Sequence, residues 1–199
     1  MRALQKDRRG YPVPFVVLRD VDGKPHFTIN DSRRTLRTIS ERRCAICGGR
    51  LGRLLWFVGG PRSAFHEHGG YTDTTLHHEC MAYAMQVCPY LAMGNYNGRI
   101  DVGTLDLDKL EKGQVLLDPT QVYERPNLMV AVATKSVEVR VRENYLPILV
   151  PGRPYIHVEF WQDGVLLPEE EGIPKADKYC GDGMVGKYYD SLEKGRPRE

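Results

Sequence analysis

The sequence predicts an α+β protein in which a small Cys/His module packs with an antiparallel β-sheet. Three observations carry that prediction. Cys44-Ala45-Ile46-Cys47 is followed, after a strand-like run, by His77-His78-Glu79-Cys80 at the start of a helical stretch. From about Ile100 onward, short runs rich in Val, Ile, Leu and aromatic residues alternate with turn residues. In "SVEVRVR", valines 137, 139 and 141 alternate with Glu138, Arg140 and Arg142, so one sheet face is expected to be wet.

The elements follow in chain order. "PFVVLRDVDGKPHFTI" reads as a β-hairpin, with Phe15 to Leu18 as strand formers and "DGKP" as the turn. "NDSRRTLRTISERR" reads as a short helix, with Asp31 or Ser32 as N-cap and Leu36 and Ile39 on a thin apolar side. "CAICGG" is a tight loop, "RLLWFV" a strand, and "RSAFHEH" a return strand that Gly69-Gly70 breaks. "TTLHHECMAYAMQVC" is a helix that ends near Val87-Cys88, because Pro89 cannot continue it. "QVLL", "NLMVAVAT", "SVEVRVR", "LPILV" and "YIHVEFW" are strand-like. The last thirty residues read as an irregular arm with a weak helix around "GKYYDSLEK". The expected segments are residues 1–43 (hairpin and basic helix), 44–96 (metal module), 100–166 (antiparallel sheet) and 167–199 (tail), within one domain.

Hydrophobic content of 41% and charged content of 27% are ordinary for a globular protein, and no run approaches the length of a membrane-spanning helix. The opening "MRALQKDRRGYPVPF" lacks the apolar stretch of a secretory signal, so a cytoplasmic location is expected. Five cysteines in such a chain favour metal ligation or burial over disulfides. The net charge of +2 is unevenly spread: seven arginines lie between Arg33 and Arg53 against one acid, Glu41. A local basic patch on a near-neutral protein suits phosphate or an acidic protein surface, though a solvated helix face has the same composition.

The two-residue gap between Cys44 and Cys47 lets both thiolates reach one ion, and Gly48 relieves crowding where amides turn toward sulfur. Helix geometry selects the second pair. At about 100° per residue, Leu76, Cys80, Ala84, Val87, Cys88 and Leu91 share one sector, the expected buried stripe. His77 lies at its edge beside Cys80, its i+3 neighbour, whereas His78 points away. Cys88 lies roughly 12 Å along the axis from Cys80, too far for one ion. The expected ligands are therefore Cys44, Cys47, His77 and Cys80, in the spacing C-x2-C-x29-H-x2-C. Four protein donors, three of them thiolates, fit a structural zinc ion with no position left for water.

A Cys-Cys loop, a hairpin and a pair from a helix start resemble the treble-clef zinc finger. "GYPVPF", "DGKPHF", "CAICGGRLG", "FVGGPRSA", "HHECMAYAMQVCPYLA" and "VEFWQDG" together resemble a family of bacterial (notably actinobacterial) and phage zinc-binding proteins. The resemblance covers about residues 10 to 165 and supports the same four ligands. It implies a metal site and no activity, and the chain departs from the pattern after Ile173.

The expected function is a zinc-stabilised interaction protein that docks on a bacterial or phage protein, or on nucleic acid, and not on a membrane. The candidate contact residues are Arg33, Arg34, Arg37, Arg42 and Arg43, which could meet phosphates. Stacking aromatics near them are scarce apart from Trp56 and Phe57, which disfavours single-strand binding. The alternative is a nuclease of the His-metal (HNH-like) class, in which His66 and His68 share a strand face. Against it, His77 is committed to zinc and no Asn-x-His pair follows. "CGDGMVG" lacks the lysine of a phosphate loop, and Cys180 has no histidine nearby in sequence. His157 and Glu159 share a strand face with Tyr155 and Trp161 that could line a pocket or pack under another layer.

Overall fold

A computed structural model of the chain describes residues 4–93, 106–111, 114, 126–141, 147–181 and 183–194. The expected strand at residues 114–117 lies, beyond Gln114, outside them. Helices and antiparallel strands are both present, as an α+β class requires. No described helix is long and apolar enough to cross a membrane.

The N-terminal hairpin forms as expected, from β1 (Val17–Arg19) and β2 (Pro25–Asn30). Asp20 Oδ1 accepts from the Asp22 and Lys24 amides at 3.1 and 2.9 Å, and Gly23 takes a φ of 76°. These are the side-chain and backbone devices of a tight turn. Helix α1 (Ser32–Ser40) starts at Asp31, whose Oδ1 accepts from the Arg33 and Arg34 amides at 2.9 and 3.2 Å. Its buried face is not the expected one. Ser32, Thr35 and Thr38 are buried, whereas Leu36 is 47% exposed and only Ile39 joins the core edge. Thr38 Oγ1 lies 2.6 Å from the Thr35 carbonyl oxygen and 2.7 Å from Thr74 Oγ1, so hydrogen bonding lets this polar face pack.

Strand β3 (Leu55–Gly59) also corrects the sequence reading. Its expected return strand is the short helix α2 (Pro61–Phe65), with Pro61 at its first position. Proline there has a backbone angle already set for a helix and no amide to orphan. β3 pairs instead with β4 (Leu128–Thr134), which pairs with β7 (His157–Gln162), and β7 with β8 (Val165–Leu167). The sheet order is β3-β4-β7-β8, so the strand following the Cys-Cys loop is built into the C-terminal sheet. β5 (Val137–Arg140) and β6 (Ile148–Pro151) form a separate hairpin. Its valine face is partly buried only at its start: Val137 packs against the core, whereas Val139 is 41% exposed.

Helix α3 (His78–Val87) ends where expected, with Pro89 opening α4 (Pro89–Ala92). Its buried residues are Cys80, Met81 and Met85, and Val87 is 50% exposed. The buried face is rotated from the expected stripe toward Met81 and Met85, which pack with Trp56, Met129 and Trp161. His77 is extended (φ −74°, ψ 153°) and caps the helix, so Leu76 lies outside it.

Alternation along β4 feeds two cores. Met129, Ala131 and Ala133 face the Cys-Cys loop and α3, together with Trp56, Trp161, Met81 and Met85. Leu128, Val130 and Val132 face the other side, with Phe57, Phe65 and Phe160. That second side is closed by α2 and by two helices: α5 (Glu169–Cys180), where the sequence suggested an irregular arm, and α6 (Met184–Lys194), which contains the helix expected around "GKYYDSLEK". Ala176 and Val185 are fully buried there.

Candidate metal centre

The Cys-Cys loop is a tight knuckle. The Gly48 amide donates to the Cys44 carbonyl and the Cys44 amide to the Gly49 carbonyl, each at 2.8 Å. Gly48 sits at φ 69°, the left-handed region that glycine enters without a Cβ penalty. A bridge between Arg43 and Arg50 closes the knuckle's base. The Gly49 amide lies 3.4 Å from Cys47 Sγ.

The second pair is delivered by β3. Trp56 and Leu76 exchange both backbone hydrogen bonds, at 3.2 and 2.9 Å, which fixes the chain just before α3. His77, next in line, lies over the knuckle, and the first helical turn then brings Cys80 to the same side. The potential ligand atoms of Cys44, Cys47, His77 and Cys80 all lie within 4.8 Å of one another. Cys47 Sγ is 3.2 Å and Cys80 Sγ 4.0 Å from His77 Nδ1. A tetrahedral zinc site has donor–donor edges of about 3.6 to 3.8 Å, so the cluster can hold such an ion. His77 Nε2 donates to the Arg50 carbonyl at 2.9 Å, leaving Nδ1 as the lone-pair nitrogen facing the sulfurs.

The thiols differ in environment. Burial pushes the Cys44 thiol up, offset in part by the Cys47, His77 and Ile46 amides. Burial, and then the neighbouring Cys44 and Cys47, push Cys80 up much further. Burial opposes ionisation of Cys47 too, yet the Gly49 amide and hydrogen bonds from Cys44, Cys80 and His77 hold it below the ordinary value. Three neighbouring thiolates are therefore compatible only with a cation among them.

The arginines of α1 are brought to one region, but most are engaged. Arg33 pairs with Glu111, and Arg37 reaches Glu41 with two nitrogens at 2.9 and 3.4 Å. Arg43 pairs with the same Glu41 and donates to the Gly48 carbonyl at 2.9 Å. Arg42 donates to the Gly52 carbonyl at 3.4 Å, and Arg34 to that of Phe15 at 3.1 Å.

His66 and His68 do not share a strand face, because they follow α2 in a turn. Their rings are 5.7 Å apart, and the exposed His68 lies beside Glu67. Among the described residues, no third ligand joins them in a metal-sized cluster. Cys180 is a poor nucleophile: burial, and then Asp177, push its thiol up to about 11.

His78 is the clearest residue that sequence reasoning misjudged. It is not free: Nε2 donates to Glu159 Oε1 at 2.7 Å, and its ring lies 4.6 Å from that of Trp56. Glu159 Oε2 accepts from Trp161 Nε1 at 2.9 Å, and His157 stacks on Trp56 at 5.9 Å. Small residues permit this. Trp56 and His157 both pair with Ala133, so the two rings close over its methyl group. The alternation of His157, Glu159 and Trp161 was visible in sequence, but the β3-β4-β7 order that supplies Trp56 was not.

No family model, curated protein or solved structure matches the chain.

Proposed function

We propose that Cys44, Cys47, His77 and Cys80 hold a structural zinc ion in a treble-clef-like module, and that the chain is a zinc-stabilised binding protein. The observation that carries this reading is the donor set itself: three thiols and one oriented imidazole within 4.8 Å, leaving no open position. Knuckle, strand and helix follow in treble-clef order, with the hairpin's second arm reduced to the Trp56–Leu76 bridge. When bound, the ion contributes cross-linking of the knuckle to α3 and no chemistry on a substrate. The docking face is the arginine side of α1, and its partner an acidic surface on a bacterial or phage protein. Fixed pairs such as Arg37–Glu41–Arg43 support this, since they present discrete donors rather than the free polycation that tracks a nucleic-acid backbone.

The test has two arms. Metal analysis of protein purified under reducing conditions should give one zinc per chain, and chelation should unfold the knuckle. Capture of a bacterial protein by wild type, but not by a folded Arg33→Glu/Arg37→Glu variant, supports docking. Salt-sensitive duplex DNA binding, lost in the same variant, would replace the protein partner by nucleic acid.

A further inference from the structure

A cavity of about 550 Å³ opens between the β1–β2 turn and the first turns of α1. Four guanidinium groups line it, those of Arg19, Arg33, Arg34 and Arg37, against the acids Asp20, Asp31 and Glu111. Most of these charges are already spent. Arg33 is matched by Glu111, and Arg37 by Glu41. Asp20 caps its own turn and faces His26 at 3.3 Å.

What is left is Arg19 and Arg34 with Asp31 between them. Asp31 is their one shared counter-charge and hydrogen-bonds to neither guanidinium. Its Oδ1 accepts from the α1 amides, and its Oδ2 takes Gln114 Nε2 at 3.3 Å. That leaves the Arg34 guanidinium 3.8 Å from the nearest carboxylate oxygen, beyond hydrogen-bond reach. Among the described residues, Arg19 makes no ion pair.

The two guanidiniums are nonetheless held in place. Arg19 donates to the Val17 and Pro14 carbonyls at 3.1 and 3.3 Å, and Arg34 to the Phe15 carbonyl at 3.1 Å. The Phe15 ring lies 5.6 Å from the Arg34 guanidinium carbon and 5.9 Å from that of Arg37. Burial, and then repulsion from Arg34, lower the affinity of Arg19 for its proton, with Asp31 offsetting this only in part. Among the described residues, these two like charges are fixed side by side, partly desolvated and short of one counter-charge, which costs free energy unless an anion supplies it.

We propose that this cavity binds the phosphate group of a small phosphorylated ligand, clamped by Arg19 and Arg34. Planar forks present paired N–H donors that match phosphate oxygens, as a lysine pair would not. Asp31 contributes by orienting the first turn of α1 rather than by meeting the ligand. The volume exceeds that of a lone phosphate and falls in the range of small-molecule sites. The site lies on the same side of α1 as the proposed docking face, but its assignment depends on neither that docking nor the metal.

The test is calorimetric titration of the full-length, metal-loaded protein with inorganic phosphate at constant ionic strength, with acetate as comparison. Saturable phosphate binding at one site is expected, weakened about tenfold or more by Arg19→Gln and by Arg34→Gln. Arg53→Gln, at an exposed arginine outside the cavity, should leave it unchanged. Absence of saturable binding, equal weakening by Arg53→Gln, or acetate binding as tightly as phosphate would overturn the proposal. So would duplex DNA that binds more tightly than phosphate and is displaced by it. If the glutamine variants do not fold, wild type alone decides: its melting temperature must rise with phosphate and not with chloride at equal ionic strength. Loss of phosphate binding with zinc and partner capture retained sinks this inference alone. Phosphate binding without partner capture supports it and removes only the docking reading.

Discussion

His77 Nε2 donates its proton to the Arg50 carbonyl at 2.9 Å, and the opposite ring nitrogen lies 3.2 Å from Cys47 Sγ. One backbone oxygen thus fixes both the tautomer and the aim of the imidazole. Cys80→Ser and His77→Ala should both reduce zinc below one per chain. Because the ion would join the knuckle to α3, each should also lower the melting temperature by about 10 °C or more. Metal analysis and thermal scans with and without chelator check this; retention of full zinc by either variant would remove that residue from the ligand set.

Metal binding should release protons and weaken as pH falls. Burial keeps Cys44 and Cys80 above the ordinary thiol value, so both carry protons at neutral pH before an ion arrives. Those protons leave when the thiolates become ligands. Calorimetry in buffers of different ionisation enthalpy should find at least two protons released per zinc. Affinity should rise steadily from pH 6 to pH 8.

The pair His78–Glu159 joins α3 to the sheet through a 2.7 Å hydrogen bond, with Trp161 holding the other carboxylate oxygen. A double-mutant cycle of His78→Gln and Glu159→Gln should give a coupling of about 0.5 to 1 kcal/mol. Trp56 fluorescence should change in each single variant, since the His78 ring lies 4.6 Å from the indole. Zinc content should not change. A coupling of zero would mean that the pair is a solvated contact.

Glu41 has its carboxyl pulled down to about 2 by hydrogen bonds from Arg37 and then Arg43. Its folded value lies below its unfolded one, so its contribution is complete above roughly pH 4.5 and lost as pH falls toward 2. Glu41→Gln should therefore lose less stability than wild type between pH 5 and pH 3, in urea melts at low salt. High salt should shrink the difference, because these groups are exposed.

The metal cluster was legible because ligand spacing is a local property: C-x2-C and H-x2-C each fold onto one turn whatever lies between them. The class of fold was legible for a similar reason, since alternation marks β4 and β7 residue by residue. Partners distant in sequence were not. Nothing in "RLLWFV" says that β3 pairs with residues 130–134, and that pairing left no return strand for "RSAF" to form. α1 misled because its buried face is made of Ser32, Thr35 and Thr38, polar residues that do not register as an apolar stripe, with the Thr38 hydroxyl bonded to the Thr35 carbonyl and to Thr74. α5 hid in the same way: Pro174 interrupts it, and its buried residues, Gly172 and Ala176, are too small to register as an apolar stripe.

The smallness of Gly172 is itself a requirement. A Cβ built there would collide with the Phe160 ring and with the Cβ of Phe160, on the buried face of β7. Phe160 cannot yield, because it is fully buried among Phe65, Val130 and Ala176. On helix propensity alone, Gly172→Ala should stabilise α5 by about 1 kcal/mol. Overpacking opposes this with about 1 to 3 kcal/mol, so the net change should be destabilising. The variant Phe160→Leu/Gly172→Ala should recover little of the loss, because leucine keeps the Cβ and Cγ that the added methyl would meet. Urea denaturation of the four proteins measures both terms; a Gly172→Ala protein more stable than wild type would show that α5 does not lie this close to the sheet.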